Sequence, residues 1–289
     1  MTQTEIRGNM LHPKGTLYLA ATPIGNLEDM TFRAVRILQE APLIAAEDTR
    51  HTRKLLARYD IHTRLTSYHE HNKLEKGPRL VDFLVEGHDL VCVSDAGLPG
   101  IADPGGHLAE LAIAAGVQVS PLPGANAALS ALICSGLDAR RFTFIGFLPR
   151  TAAKSRELLA EIAARQETLI FYEAPHHLKN TLKALIAAFG ASRSAVAARE
   201  LTKRYEEFRR GTLSDILAHY SEEEPRGEFV LIVAGAEESA VKENALTETP
   251  KELVTYFMEE GRTKKEALRE TAKRLNMSRR DVYQILLEE

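Results

Sequence analysis

Acids and bases crowd together at three points of this chain. "EDTR" brings Glu47, Asp48 and Arg50 together, "YEAP" holds Glu173, and "RELTK" holds Arg199, Glu200 and Lys203. A carboxylate can act as a general base, and a cation can stabilise developing negative charge. Glu47, Arg50, Glu173 and Arg199 are the catalytic candidates on that reading. The plainer reading of Glu47 and Arg50 is an acid at a helix N-terminus with its basic partner.

A second signal is conformational. "SDAGLPGIADPG" (94–105) follows the apolar run "LVCV" with three glycines, two prolines and two aspartates. A turn needs only four residues, so this loop is longer and stiffer than a chain reversal requires. "ATPIGN" (21–26) and "PLPGANAA" (121–128) share its Gly and Pro content. Such loops let backbone approach a ligand closely with little mobility. Neither GxxxxGK[ST] nor a GxGxxG after the first strand is present, which excludes the P-loop and the dinucleotide fingerprint. "SYHEHN" (67–72) would place His69 and His71 on one face if extended. No third ligand stands at metal spacing, so no metal is expected and a polar loop is the better reading.

The elements that must carry these loops alternate. Strand-like runs at 16–21, 43–47, 89–94 and around "VQVSPLP" are each followed or preceded by helical patterns at 31–41, 52–59, 79–87, 106–116 and 125–136. This βαβα rhythm predicts a largely parallel sheet with helices on both faces. The Gly/Pro loops then share the carboxyl end of that sheet, where ligands bind in open parallel sheets. A smaller mixed α/β unit follows, with strands at 168–173, 195–200 and 228–235. The expected domains are 1–145 and 146–236, then a polar linker over 237–249. Residues 250–289 form a three-helix, helix-turn-helix-like appendage. Its signature is three capping boxes, Thr249 with Glu252, Thr263 with Glu266 and Ser278 with Asp281.

Composition narrows the class. Of 289 residues, 44% are apolar and 27% charged, as in ordinary globular domains, and the net charge is −3. That balance argues against non-specific coating of nucleic acid but leaves room for basic surfaces. Residues 262–281 hold eight Lys or Arg against three acids, and Arg140, Arg141, Arg150, Lys154 and Arg156 cluster at the domain junction. No apolar run could span a bilayer, so no membrane partner is expected. The polar start lacks a signal h-region. Cys92 and Cys134 both lie in apolar stretches and read as buried core thiols in a reducing compartment. A cytoplasmic location follows from these expectations.

Taken in order, "TPIGNLEDMTFRA", "AAEDTR", "SYHEHN", "SDAGLPGIADPG", "PLPGANAALSAL", "FYEAPHHL" and "RELTKRYEEFRRGTL" resemble the tetrapyrrole methylase superfamily, in particular its rRNA-methylating branch. The resemblance covers roughly residues 14 to 235 and implies two α/β domains of that type. It implies S-adenosylmethionine as methyl donor and 2′-O-ribose methylation of a cytidine in the decoding region of 16S rRNA. The partner is then 16S rRNA or the small ribosomal subunit, and the chain a homodimer. Cofactor contact carries onto Pro23, Asp95, Leu98, Ile101, Ala102, Asn126 and Ala127, and onto Tyr172 and Ala198 in the second domain. Where the wider superfamily has Gly-Asp-Pro after its third strand, this chain has "SDAG". Its "ATPIGN" also lacks the aspartate of porphyrin-modifying members. Two other readings stay open at this stage, a small-molecule methylase of the same superfamily and a non-enzymatic ligand sensor with a DNA-binding helix-turn-helix.

Overall fold

The computed structural model describes residues 13–101, 103–237, 249–259, 262–275 and 277–288. The candidate Ala102 and residues 238–248 of the expected linker lie outside the described residues.

Five strands, β1 (Thr16–Ala20), β2 (Ile44–Ala46), β3 (Leu65–Ser67), β4 (Leu90–Val93) and β5 (Gln118–Leu122), form a first sheet in the order β3-β2-β4-β1-β5. Every pairing is parallel. The central strands β2 and β4 are buried at every position because helices cover both faces. Helices α1 (Phe32–Glu40) and α2 (Thr49–Arg58) press Leu38 and Leu56 against Ile44, Val91 and Val93. Helices α3 (Lys73–Val85) and α4 (Gly105–Ala114) press Leu84 and Leu108 against Ala45, Leu90 and Cys92 on the other face. The chain leaves β1 toward one side of the sheet and leaves β4 toward the other. These two strands are neighbours, so the crevice of the switch point opens between their ends.

The second sheet contains β6 (Phe142–Gly146), β7 (Thr168–Glu173), β8 (Ser194–Arg199), β9 (Glu207–Thr212) and β10 (Phe229–Val233), in the order β6-β7-β10-β8-β9. Only β6 and β7 run parallel. Helices α6 (Ala152–Ile162), α7 (Pro175–Phe189) and α8 (Leu213–Glu222) cover one face through a core around Phe171, Leu182 and Ile216. The other face receives α5 (Ala127–Ser135), the helix that follows β5. Its Ala128, Ala131 and Leu132 pack on Ile170, Val196 and Ile232. One helix thus belongs to the connectivity of the first sheet and the core of the second.

Several sequence expectations shift. Helix α3 starts at Lys73, not near 79, and runs through Pro78. Strand β3 and helix α8 are additional elements. Cys134 is exposed, contrary to the buried reading, whereas Cys92 is buried. The reason is helical phase: α5 buries Ala128, Ala131, Leu132 and Ser135, which turns Leu129, Ile133 and Cys134 outward.

Three short helices close the chain: α9 (Pro250–Glu259), α10 (Lys264–Arg274) and α11 (Arg279–Glu288). They share a core of Leu253, Phe257, Leu268 and Val282. Thr249 with Glu252 and Thr263 with Glu266 form complete capping boxes, while Ser278 accepts from the Asp281 N–H at 3.2 Å. Among the described residues no helix is long and apolar enough to cross a membrane.

Candidate active site

The four loops at the carboxyl end of the first sheet are locked to one another. Thr22 and Gly97 exchange backbone hydrogen bonds of 2.9 and 3.0 Å across the β1–β4 crevice, and the Thr22 hydroxyl donates to the Ser94 carbonyl at 3.1 Å. Gly97 has φ +81°, a left-handed conformation that only glycine adopts without strain. Further along the same loop, Asp103 Oδ1 accepts from the Gly100 and Gly105 N–H groups, each at 2.7 Å. Asn126 caps α5 by accepting from the Leu129 N–H at 2.8 Å. The β4 loop is a braced structure whose glycines and aspartates hold its own backbone.

Between these loops and the second sheet lies a cavity of about 430 Å³, the size of a small-molecule site. The first sheet contributes Ile24, Glu47, Ser94, Ala96, Gly97, Leu98, Ile101, Asp103, Asn126 and Ala127. The second contributes Phe147, Tyr172, Glu173, Ala198, Leu201, Lys203, Phe229 and Val230, with Ala174, Pro175 and Glu228 at its edge. Register explains the second group. Val230 on β10 pairs with Tyr172 on β7 and with Ala198 on β8, so these three side chains stand abreast on one sheet face. Tyr172 is fixed edge-to-face between Phe144 and Phe147, with ring centroids 5.0 and 5.7 Å away.

The polar groups of this cavity divide by sheet. Glu47 stands on the first-sheet wall with its carboxyl pushed above the usual range, first by burial and then by the charges of Asp95 and Asp103. The second oxygen of Asp103, Oδ2, is buried and has no hydrogen-bond partner among the described residues. On the opposite wall Lys203 reaches Glu200 and Glu228, both at 2.8 Å. Burial opposes the Lys203 charge, but the two carboxylates outweigh it and raise its pKa. Glu173 is buried, and both its oxygens are engaged, by the Ala174 N–H at 2.8 Å and the Thr181 hydroxyl at 2.5 Å.

The candidates read from sequence therefore separate. Leu98, Ile101, Asn126, Ala127, Tyr172, Ala198, Glu47 and Glu173 meet in the large cavity. Pro23 and Asp95 line a smaller neighbour of about 120 Å³, with Thr22, Leu27, His51, Lys54 and Leu55. Asp95 turns that way because its Oδ1 accepts from the Asp48 N–H at 3.0 Å. Arg50 is not brought to either cavity. Its fork closes on Asp48, at 3.1 and 2.8 Å, and its side chain is 86% exposed. This contact, with the Arg50 N–H, holds the Asp48 carboxyl well below the carboxylate range. Arg199 also stands outside, donating to the Arg226 carbonyl at 2.7 Å and pairing with Glu207 at 3.4 Å. His69 and Asn72 tie together the start of α3, with the His69 N–H donating to Asn72 Oδ1 at 2.9 Å. Sequence reasoning missed Asp103, Ile24, Leu201, Phe229 and Val230. Asp103 stood in the quoted loop, whereas Phe229 and Val230 depend on register across the second sheet and Leu201 follows the end of β8.

A family model described as "Tetrapyrrole (Corrin/Porphyrin) Methylases" matches residues 16–217. Among curated proteins, Ribosomal RNA small subunit methyltransferase I of Halalkalibacterium halodurans is 51% identical over 278 residues, covering 96% of each chain. Its counterpart in Bacillus subtilis is 47% identical over 286 residues, covering 98% of each. Two solved structures share the fold. The methyltransferase CobJ has a TM-score of 0.58 at 23% identity, covering 77% of this chain and 95% of that one. Uroporphyrin-III C-methyl transferase from Thermus thermophilus, complexed with S-adenyl homocysteine, has 0.53 at 21%, covering 76% and 97%.

Proposed function

This chain belongs to the tetrapyrrole methylase family, and from that premise we propose that it methylates a ribose 2′-hydroxyl of a cytidine in the decoding region of 16S rRNA, with S-adenosylmethionine as donor. One observation carries the RNA part. The relatives named for small-subunit rRNA methylation match the chain almost end to end, 98% of it in one case. The family model stops at residue 217, and the solved CobJ and uroporphyrin-III methyltransferase structures cover 76–77% of the chain. What this chain shares with the rRNA group therefore includes the basic helices after residue 250.

The large cavity fits the donor. Leu98, Ile101, Tyr172, Ala198 and Val230 offer an apolar wall for a purine, and the free Asp103 oxygen can accept from a hydroxyl or an amine. Asn126 and Ala127 open α5 beside it, while Pro23 and Asp95 support the loops from the smaller cavity. Glu47, Asp95 and Asp103 give this end a negative field that favours a cationic ligand. The donor supplies an electrophilic methyl group on a sulfonium. The chain's own task is to hold the acceptor hydroxyl in line and to take its proton. Glu47 is the group poised for that, because a raised carboxyl pKa makes it a stronger base. Glu173 positions the start of α7, and Arg50 and Arg199 brace Asp48 and Glu207.

The same reading makes the protein a cytoplasmic homodimer of two domains, 1–145 and 146–236, with a linker over 237–249 and a separate appendage over 250–289. The outward apolar face of α5, where Ile133 is 76% and Leu129 45% exposed, supports pairing. The deciding experiment maps ribose methylation in rRNA from cells with and without this gene, alongside labelled donor given with rRNA or with porphyrin precursors. One lost 2′-O-methyl on small-subunit rRNA is expected. Label in porphyrin alone would overturn the reading.

A further inference from the structure

Helix α2 carries a charge pattern that neither the fold nor the large cavity uses. Its sequence "TRHTRKLLAR" holds Arg50, Arg53, Lys54 and Arg58 with His51, and no acid. The helix buries Thr52, Leu55 and Leu56, which sends its basic residues to the outer face. Arg50 is neutralised by Asp48. Among the described residues Arg53, Lys54 and Arg58 are exposed and form no ion pair. The helix macrodipole accounts for Arg58, which stands in the last turn, but not for Arg53 and Lys54 in the middle of the helix.

Position supplies the second observation. His51 and Lys54 wall the smaller cavity, which adjoins the Glu47 end of the large one through Asp95. Asp95 is the acid of that wall, and the Asp48 N–H already occupies one of its oxygens. Beside α2 on the same sheet face lies α1, whose first residue, Phe32, is 97% exposed. The Tyr59 hydroxyl at the end of α2 donates to the Leu27 carbonyl in the turn before α1, which fastens the two helices together. Unpaired cations on the exposed side of one helix, with a bare aromatic ring at the start of a helix packed on the same sheet face, are elements by which single-stranded nucleic acid is held, phosphates on the former and a base stacked on the latter.

We propose that the outer face of α2, entered at the smaller cavity and flanked by Phe32, is the track for the RNA strand next to the target nucleotide. The proposal rests on the reading of this protein as an RNA methyltransferase. Lys54 and His51 hold the phosphate nearest the reacting sugar, Arg53 and Arg58 hold the strand beyond it, and Phe32 stacks on an unpaired base.

The test uses full-length protein and small ribosomal subunits from cells lacking this gene. The triple variant Arg53→Gln, Lys54→Gln, Arg58→Gln keeps good helix formers at all three positions. It should bind S-adenosylmethionine as the wild type does and melt at the same temperature. Its affinity for subunits should fall roughly tenfold or more, and its log–log salt slope should become shallower by about 2, as expected for three lost single-strand phosphate contacts. Phe32→Ala should weaken binding with no change in slope, because stacking displaces no counterions. Wild-type affinity and slope in the triple variant would overturn the track while leaving the enzyme reading intact. A wild-type protein that neither binds nor methylates subunits would instead overturn the enzyme reading, and the track with it.

Discussion

Glu47 and Asp103 share one wall of the large cavity, and their proximity sets a measurable pH dependence. Burial raises the Glu47 carboxyl, and the Asp95 and Asp103 charges raise it further. If Glu47 is the base, only its ionised form works, so kcat rises as pH climbs through this raised pKa. Glu47→Gln should lower kcat by about 10²–10⁴ with donor affinity largely kept. Asp103→Asn removes one negative neighbour but leaves an oxygen to accept the Gly100 and Gly105 N–H groups. The Glu47 pKa should then fall, and the acid limb of the kcat profile should move to lower pH. Initial rates measured across pH in the two variants decide this, and an Asp103→Asn profile superimposed on the wild type would remove the coupling.

Among the elements, the β4 loop depends on Gly97. Its φ of +81° is left-handed, and a Cβ there would stand 3.4 Å from Ile24 Cγ2 and 3.5 Å from the Ala125 carbonyl. Gly97→Ala should cost about 1–3 kcal/mol in backbone strain and weaken the donor, because the same residue bridges Thr22 across the crevice. Gly136 has φ +82° but nothing within 4 Å of its missing Cβ. Gly136→Ala should therefore show the stability loss in a melting curve and normal donor binding in calorimetry. Equal donor affinities in the two variants would sink the argument. The contrast also marks what was legible in sequence. The parallel sheet announced itself through apolar runs such as "LVCV", and the first-sheet loops through Gly and Pro. Strand β3 is only "LTS" at the sheet edge, too short and polar to show a period. The start of α3 is obscured because Pro78 reads as a breaker, yet the helix runs through it, with Gly77 close enough that a Cβ would meet Leu111 at 2.7 Å. Val230 and Ala198 meet through pairing between distant segments, which no local pattern encodes. Helix α8 went unread because strand β9 runs directly into it, although Thr212 and Asp215 form a capping box at its start.

On the scale of the whole molecule, α5 and the C-terminal helices raise separate questions of assembly. α5 spends its inner face on the second sheet and leaves Ile133 outward, so Ile133→Glu should convert a dimer to a monomer in light scattering at micromolar concentration. A monomeric wild type would defeat pairing altogether. The C-terminal helices have a core of their own, Leu253, Phe257, Ala267, Leu268 and Val282, and two complete capping boxes. So small a core is marginally stable alone, but it sets the helices' shape independently of the two sheets. Their exposed Lys and Arg residues between 262 and 280 could hold phosphates at a distance from the reacting sugar. A chain ending at residue 237 keeps every residue of both cavities. It should bind the donor with unchanged affinity, bind small ribosomal subunits more weakly, and show a shallower salt slope, because fewer phosphates are neutralised. If the helices instead only brace the sheets, truncation should lower the melting temperature and leave the slope as it was. Both quantities come from one truncated protein, and an unchanged slope would remove the appendage from the RNA-binding surface, leaving α2 as the track to be accounted for.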